Sequence, residues 1–341
     1  MPDGILEVQM IDIAAVGEIV IDFSPIPNAE NGNLRYEAQP GGAPSNLLAE
    51  ASLLGASTRL LGAVGNDPLG EFLCKIAERY GFGGDGLKKV EALPTPFTLV
   101  SFDALGDRSF HSVQTETSLQ AFQTEMLDED ILQQARVIHL AGSLLGMKNG
   151  QRIFDQVKSF AITQGKLVSC DVNWRPGSYP QSEARESVLP RLRGLDILKV
   201  SLEEMEMLTD VSDVEKGSQM LMDEDIRLVC VTLGEKGCYY RYENGNGYVP
   251  AYHVDAVDTN AAGDVFTAAV LVSLLRQNCD INRIDSCRMH DIMRVANAAS
   301  AICVSRVGAI YAAPTLEDLQ HFLSNVGVSD KVLHGMKGEM Q

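Results

Sequence analysis

Short apolar runs alternate along most of the chain with stretches whose apolar positions recur at helical spacing. IDIAAVGEIVIDF, beginning at Ile11, reads as one buried strand, 44–54 as a helix ending at Gly55, STRLLGAVG as the next strand, and 68–79 as a second helix. Farther on come the strand ARVIHLAG, a helix through 151–163, the strand KLVSCDVN, a helix before Leu195, and the strands DILKVS and RLVCVTLG. Strands alternating with helices predict a mainly parallel sheet covered on both faces. Two pieces break the rhythm. Residues 33–39 and 96–113 read as β with polar interruptions, the latter turning at Leu105-Gly106-Asp107-Arg108. Neither has room for a crossover helix, so together they predict a small β-lid. No repeat, low-complexity tract or linker divides the chain.

The strongest local signal lies at 258–264, DTNAAGD, which runs straight into the apolar stretch VFTAAVLVSLL. A helix beginning at 261–264 would present amides that have no intrahelical acceptor, and with the helix dipole these form an anion site. Ala261, Ala262 and Gly263 keep the backbone approachable, and Asp264 adds a carboxylate beside it. A carboxylate repels an anion but accepts the proton of an attacking hydroxyl, which points to phosphoryl transfer onto an alcohol. A plain helix cap by Asp258 or Asp264 explains the same residues.

Twenty-eight basic against 46 acidic residues give a net charge of -18. Nucleic acid and anionic membranes are disfavoured as partners, and an anionic nucleotide needs a local positive site. The N-terminal MPDGILEVQM lacks the pattern of a signal peptide, and 265–275 is too short to span a bilayer. Seven cysteines without a C-x-x-C pair predict free thiols in a reducing cytoplasm. Neither G-x-x-x-x-G-K-[ST] nor G-x-G-x-x-G after the first strand occurs, so standard P-loop and dinucleotide sites are disfavoured as the phosphate cradle.

DTNAAGD resembles the D-T-x-G-A-G-D signature of the ribokinase (PfkB) family of sugar kinases, with Ala261 in place of Gly. That exchange requires residue 261 to keep a backbone conformation open to an L-residue. PGGAPSNLLAEASLLGA resembles the family's N-terminal signature, which implies that Gly41, Gly42 and Asn46 face the sugar, with Asp22 on its hydroxyls. Phe97 and Arg108 of the lid are implied on the same side. CDVNWRPGSYP resembles D-P-N-x-R with Val172 for Pro, which implies Asn173 near the transferred phosphate and Arg175 at a phosphate or lid group. KVSLEEMEML resembles N-x-x-E, with Ser201 in the Asn position and Glu204 holding Mg2+ through water; a capping box explains that spacing equally well. VTLGEKGCYYRY and ANAASAICVSRVGAI resemble the nucleotide-binding segments, implying Thr232, Gly234, Gly237 and Asn297. Asp258 and the Asn260 carbonyl, with the loop around Gly308, match a monovalent-cation site, which implies K+.

The resemblance implies a ribokinase-like three-layer α/β/α sandwich over 11–326, with the lid at about 22–40 and 96–114 and a tail at 327–341. It also implies a homodimer through the lid. The activity expected is ATP-dependent phosphorylation of a sugar primary hydroxyl, with Asp264 as general base and the 261–264 amides as anion hole. The Gly-Gly-Ala-Pro-Ser-Asn run and Ser201 favour D-fructose, giving fructose 6-phosphate. 2-Keto-3-deoxygluconate, 5-dehydro-2-deoxygluconate, ribose or a nucleoside are the alternatives, followed by a catalytically silent sugar sensor.

Overall fold

The computed structural model of the chain describes residues 10–27, 29, 31–102, 108–112, 116–174, 180–278 and 280–328. Its centre is β1 (Ile11–Val16), in which every residue is buried. Alternate side chains feed two cores: Ile13 and Ala15 join one, Ala14 and Val16 the other. That is what a strand with helices on both sides requires, because successive side chains point to opposite faces.

The chain does not continue β1 through Val20, as the unbroken apolar run suggests. Gly17 breaks it: a Cβ there would lie 2.6 Å from the Ala141 Cβ and 2.8 Å from the Pro44 side chain. After Gly17–Ile19 the chain enters β2 (Val20–Ile26), which belongs to a second sheet. β3 (Arg35–Gly41) pairs antiparallel with β2, and the helix Ala43–Leu53 follows at once.

Next come β4 (Thr58–Gly65), the helix Pro68–Arg79 and β5 (Leu87–Val90). β6 (Phe97–Phe102) and β7 (Arg108–Ser112) complete the second sheet in the order β3-β2-β6-β7. This is the expected lid, except that the tail of the first apolar run supplies one of its central strands. Residues 103–107, which hold most of the predicted turn, lie outside the described residues, as does the tail from 329 onward.

β8 (Ala135–Ala141), β9 (Leu167–Asp171), β10 (Ile197–Ser201) and β11 (Leu228–Thr232) extend the main sheet in parallel, separated by helices that include Lys148–Thr163 and Leu202–Thr209. A hairpin of β12 (Cys238–Tyr242) and β13 (Gly245–Val249) adds two antiparallel strands at the edge. The main-sheet order is β13-β12-β11-β10-β9-β8-β1-β4-β5.

The helices Ala43–Leu53, Ala262–Leu275 and Ser286–Val304 pack with one core, and Lys148–Thr163 with the other. Ala262–Leu275 is buried from Asp264 to its end, matching a sequence that is apolar on all sides. The result is an α/β/α sandwich with a separate four-stranded sheet. No helix among the described residues is long and apolar enough to cross a membrane.

Candidate active site

The parallel strands β9, β10 and β11 end side by side, and in such sheets ligands bind beyond the carboxyl ends of the strands. A cleft of about 380 Å³ opens there. Asn173 and Trp174 line it after β9, Lys199 and Ser201 from β10, Glu204 from the next helix, Thr232 from β11, and residues 259–264 from the start of the buried helix. A second cavity of about 470 Å³ adjoins it and shares Thr232, Thr259, Ala262 and Gly263. Gly234, Gly237, Tyr252, Phe266 and Asn297 line that cavity.

Asp264 stands at the first turn of Ala262–Leu275, only 7 % exposed. Two amide side chains hold its carboxylate. Asn46 Nδ2 donates to Oδ2 at 2.8 Å, and Asn173 Nδ2 donates to Oδ1 at 3.4 Å. Each amide comes from a different element. Asn46 sits in the first turns of Ala43–Leu53, while Asn173 follows β9 with φ of 41°, a left-handed conformation that asparagine tolerates better than most residues. The two asparagines, expected one toward the sugar and one toward the nucleotide, therefore meet on the same carboxylate.

Ala261 precedes that helix with φ 60° and ψ 0°. The expectation of a backbone suited to an L-residue fails, because this is the region glycine prefers. An alanine there carries about 1 kcal/mol of strain. The Asn260 side chain braces the turn by accepting from the Ala261 amide at 3.1 Å.

On the lid side, Asp22 and Gly41 interlock. A Cβ on Gly41 would fall 2.4 Å from Asp22 Oδ2, so glycine is what lets that carboxylate lie against the strand. Thr98 Oγ1 donates to the other carboxylate oxygen. Gly42, with φ of 106°, turns the chain from the lid into the Asn46 helix. Phe97 packs edge-on against Phe23 within the lid, with ring centroids 5.3 Å apart. Arg108 opens β7, its side chain outside the described residues, and Arg175 lies outside them altogether.

Ser201 and Glu204 do form a capping box. Ser201 Oγ accepts from the Glu204 amide, and Glu204 Oε2 accepts from the Ser201 amide at 2.7 Å. Its other oxygen accepts from the Trp174 amide at 2.7 Å. Burial raises the Glu204 carboxyl pKa against the opposing pull of Lys199. Asp258 is tied down too, accepting from the amides of Asn260 and Gly308, each at 2.9 Å. Asn297 gives its amide to the carbonyls of Val249 and Pro250, so it shapes the second cavity through the β13 turn.

A family model for pfkB family carbohydrate kinases matches residues 10–316. The chain belongs to that family. A relative named probable fructokinase-4 from Arabidopsis thaliana is 31% identical over 317 residues, covering 91% of this chain and 96% of the relative. The solved structure of a fructokinase with bound ATP from Xylella fastidiosa superposes with a TM-score of 0.81 at 24% identity, over 93% of this chain and 99% of that one. An E. coli protein assigned as a ribokinase II, in complex with ATP and Mg2+, gives 0.80 at 22%, over 93% and 100%. These likenesses show the ribokinase-like fold.

One cleft residue of this carbohydrate kinase escaped the motif reading. Lys199 is buried in β10, and its Nζ lies 3.1 Å from each carboxylate oxygen of Asp171, the last residue of β9. The registers place the two residues directly opposite. The visible signal was a lysine inside the apolar strand ILKVS, where a buried charge needs a reason.

Proposed function

We propose that this sugar kinase transfers the γ-phosphoryl group of ATP to the primary hydroxyl of D-fructose, forming fructose 6-phosphate. The observation that carries the reading is the Asp264 carboxylate, buried at a helix N-terminus and aimed by two amides where the lid side and the cleft converge. The hydroxyl oxygen attacks the γ-phosphorus, the bond to the β-phosphate oxygen breaks, and ADP leaves. Asp264 takes the hydroxyl proton and later returns it to solvent. Amides at the start of that helix, beyond Ala261 whose N–H the Asn260 side chain already engages, stabilise charge on the phosphoryl oxygens. Asp22, Gly41, Gly42 and Asn46 frame the sugar side, with Phe97 of the lid beside them. The cavity bordered by Gly234, Gly237 and Asn297 takes the nucleoside part of ATP.

The donor set suits Mg2+ that arrives on the nucleotide. Among the described residues no group of three ligands forms a metal cage. Glu204 offers a carboxylate whose oxygens are each fixed by one amide, leaving lone pairs for the ion's water shell. Bound there, the ion would neutralise phosphate charge. Support for ATP and Mg2+ comes from the two complexes of the same fold, and support for fructose from the fructokinase relatives. K+ beside Asp258 and a lid-to-lid homodimer belong to the same reading; Leu34 and Tyr36 give the lid an exposed apolar edge.

The test is ADP release with Mg-ATP against fructose, 2-keto-3-deoxygluconate, 5-dehydro-2-deoxygluconate, ribose and adenosine, with and without K+. The highest kcat/KM is expected for fructose; a far higher value for another compound rejects it. Asp264→Asn should lower kcat by about 10²- to 10⁴-fold while sparing nucleotide binding. Near-normal turnover would reject the base assignment.

A further inference from the structure

Lys199 is 7 % exposed, yet it lines the cleft, and a Cβ placed on Gly263 would come within 2.8 Å of its Nζ. The ammonium therefore lies against the first turn of the buried helix, beside the amides that have no intrahelical acceptor. Three carboxylates act on it. Burial disfavours its charge, but Asp171, Glu204 and Asp264 outweigh burial and hold the pKa above its ordinary value. An ammonium has three donors, and among the described residues Asp171 is its only hydrogen-bond acceptor. One cation with donors to spare thus sits where the family's reaction builds up negative charge, in a chain of net charge -18.

We infer that Lys199 is a catalytic residue that hydrogen-bonds the transferred phosphoryl group, and that Asp171 is the positioning residue that keeps its ammonium at the anion hole before the nucleotide arrives. The inference rests on the kinase reading above and adds to it the source of fixed positive charge. As the bond from the γ-phosphorus to the leaving oxygen breaks and that to the sugar oxygen forms, charge spreads over the equatorial phosphoryl oxygens. Lys199 Nζ donates to one of them while the helix amides serve the others. The proton stays on nitrogen throughout.

The experiment compares the wild type with Lys199→Met and the double variant Lys199→Met/Asp171→Asn. Removing the lysine alone strands a buried carboxylate, so that variant should be thermally weakened; neutralising Asp171 as well should restore Tm. Affinity for the ATP analogue AMP-PNP should fall at least tenfold in both, whereas affinity for adenosine should not move. Loss of one preorganised donor predicts a kcat lower by about 10²- to 10³-fold. The double variant should recover Tm without recovering kcat. Recovery of both, or unchanged AMP-PNP affinity in the double variant, would overturn the inference and leave the pair as a structural ion bridge. A wild type that phosphorylates none of the sugars would overturn the fructose reading instead, because the AMP-PNP and adenosine titrations stand without turnover.

Discussion

Asn46→Asp probes the proposed base most directly. The substitution keeps the side-chain shape but replaces the donating nitrogen by an oxygen, so two carboxylates would face each other across 2.8 Å. At an effective dielectric constant of about 20, two unit charges at that separation repel by about 6 kcal/mol. Unrelaxed, that equals a rise of about four pH units in the carboxyl pKa. Proton sharing and small side-chain movements reduce it, so a rise of roughly 1 to 3 units is expected, with the pair titrating as one system. A base works deprotonated; raising its pKa moves the acid limb of the kcat/KM profile to higher pH by the same amount. The assay is ADP release between about pH 5 and 9 at saturating nucleotide. Asn46→Ala is the comparison: it removes one charge-assisted hydrogen bond of about 1.5–3 kcal/mol, hence roughly 10- to 150-fold in kcat/KM, and it displaces that limb upward by less than Asn46→Asp because it adds no repelling charge. An Asn46→Asp profile with the wild-type acid limb and only a higher KM for sugar would refute the reasoning. Asn46 would then serve the sugar alone, and another group would take the proton.

Ala261→Gly should raise Tm by about 1–2 °C, because relief of left-handed strain exceeds the added freedom of glycine in the unfolded chain; an unchanged or lower Tm in calorimetry would show that the turn is unstrained. Burial holds the His139 pKa at about 4, whereas the unfolded residue titrates near 6.5, so its proton favours unfolding. Stability should fall as pH drops from 6.5 to 4 and level off below, by about 3 kcal/mol at most. His139→Gln should flatten that slope in urea titrations, and parallel slopes in the two proteins would exclude His139 as its origin.

The alternation of apolar runs with helical patterns was enough to place β4, β8, β9, β10 and β11 and the helix Pro68–Arg79, because each is bounded by polar or glycine punctuation. It failed where packing alone decides. IDIAAVGEIVIDF carries no polar break strong enough to announce that its halves serve different sheets; the close approach of Ala141 and Pro44 to Gly17 does. The β12–β13 hairpin is short and rich in tyrosine and glycine, and the alternation of apolar runs does not set it apart as a pair of strands; its pairing with β11 does. At the site, residues adjacent in sequence were legible, but the convergence of Asn46 and Asn173 on Asp264 spans 218 and 91 positions of chain. Lys199 belonged to a recognised segment yet fell outside its pattern letters. Its meaning depends on Asp171, a neighbour only through strand register.

The connections of the lid carry a mechanical consequence. β2 joins the main sheet through Gly17–Ile19, a span of at most about 10 Å, and β3 passes into the Asn46 helix through Gly42 alone. Tethers this short hold β2 and β3 close to the end of β1 and to the start of the helix whose first turns carry Asn46 and, through it, Asp264. In the proposed function, a sugar held by Asp22 would therefore act on the aim of the base through a linkage with little slack. Occupancy of the lid and readiness for proton transfer would then be one event rather than two.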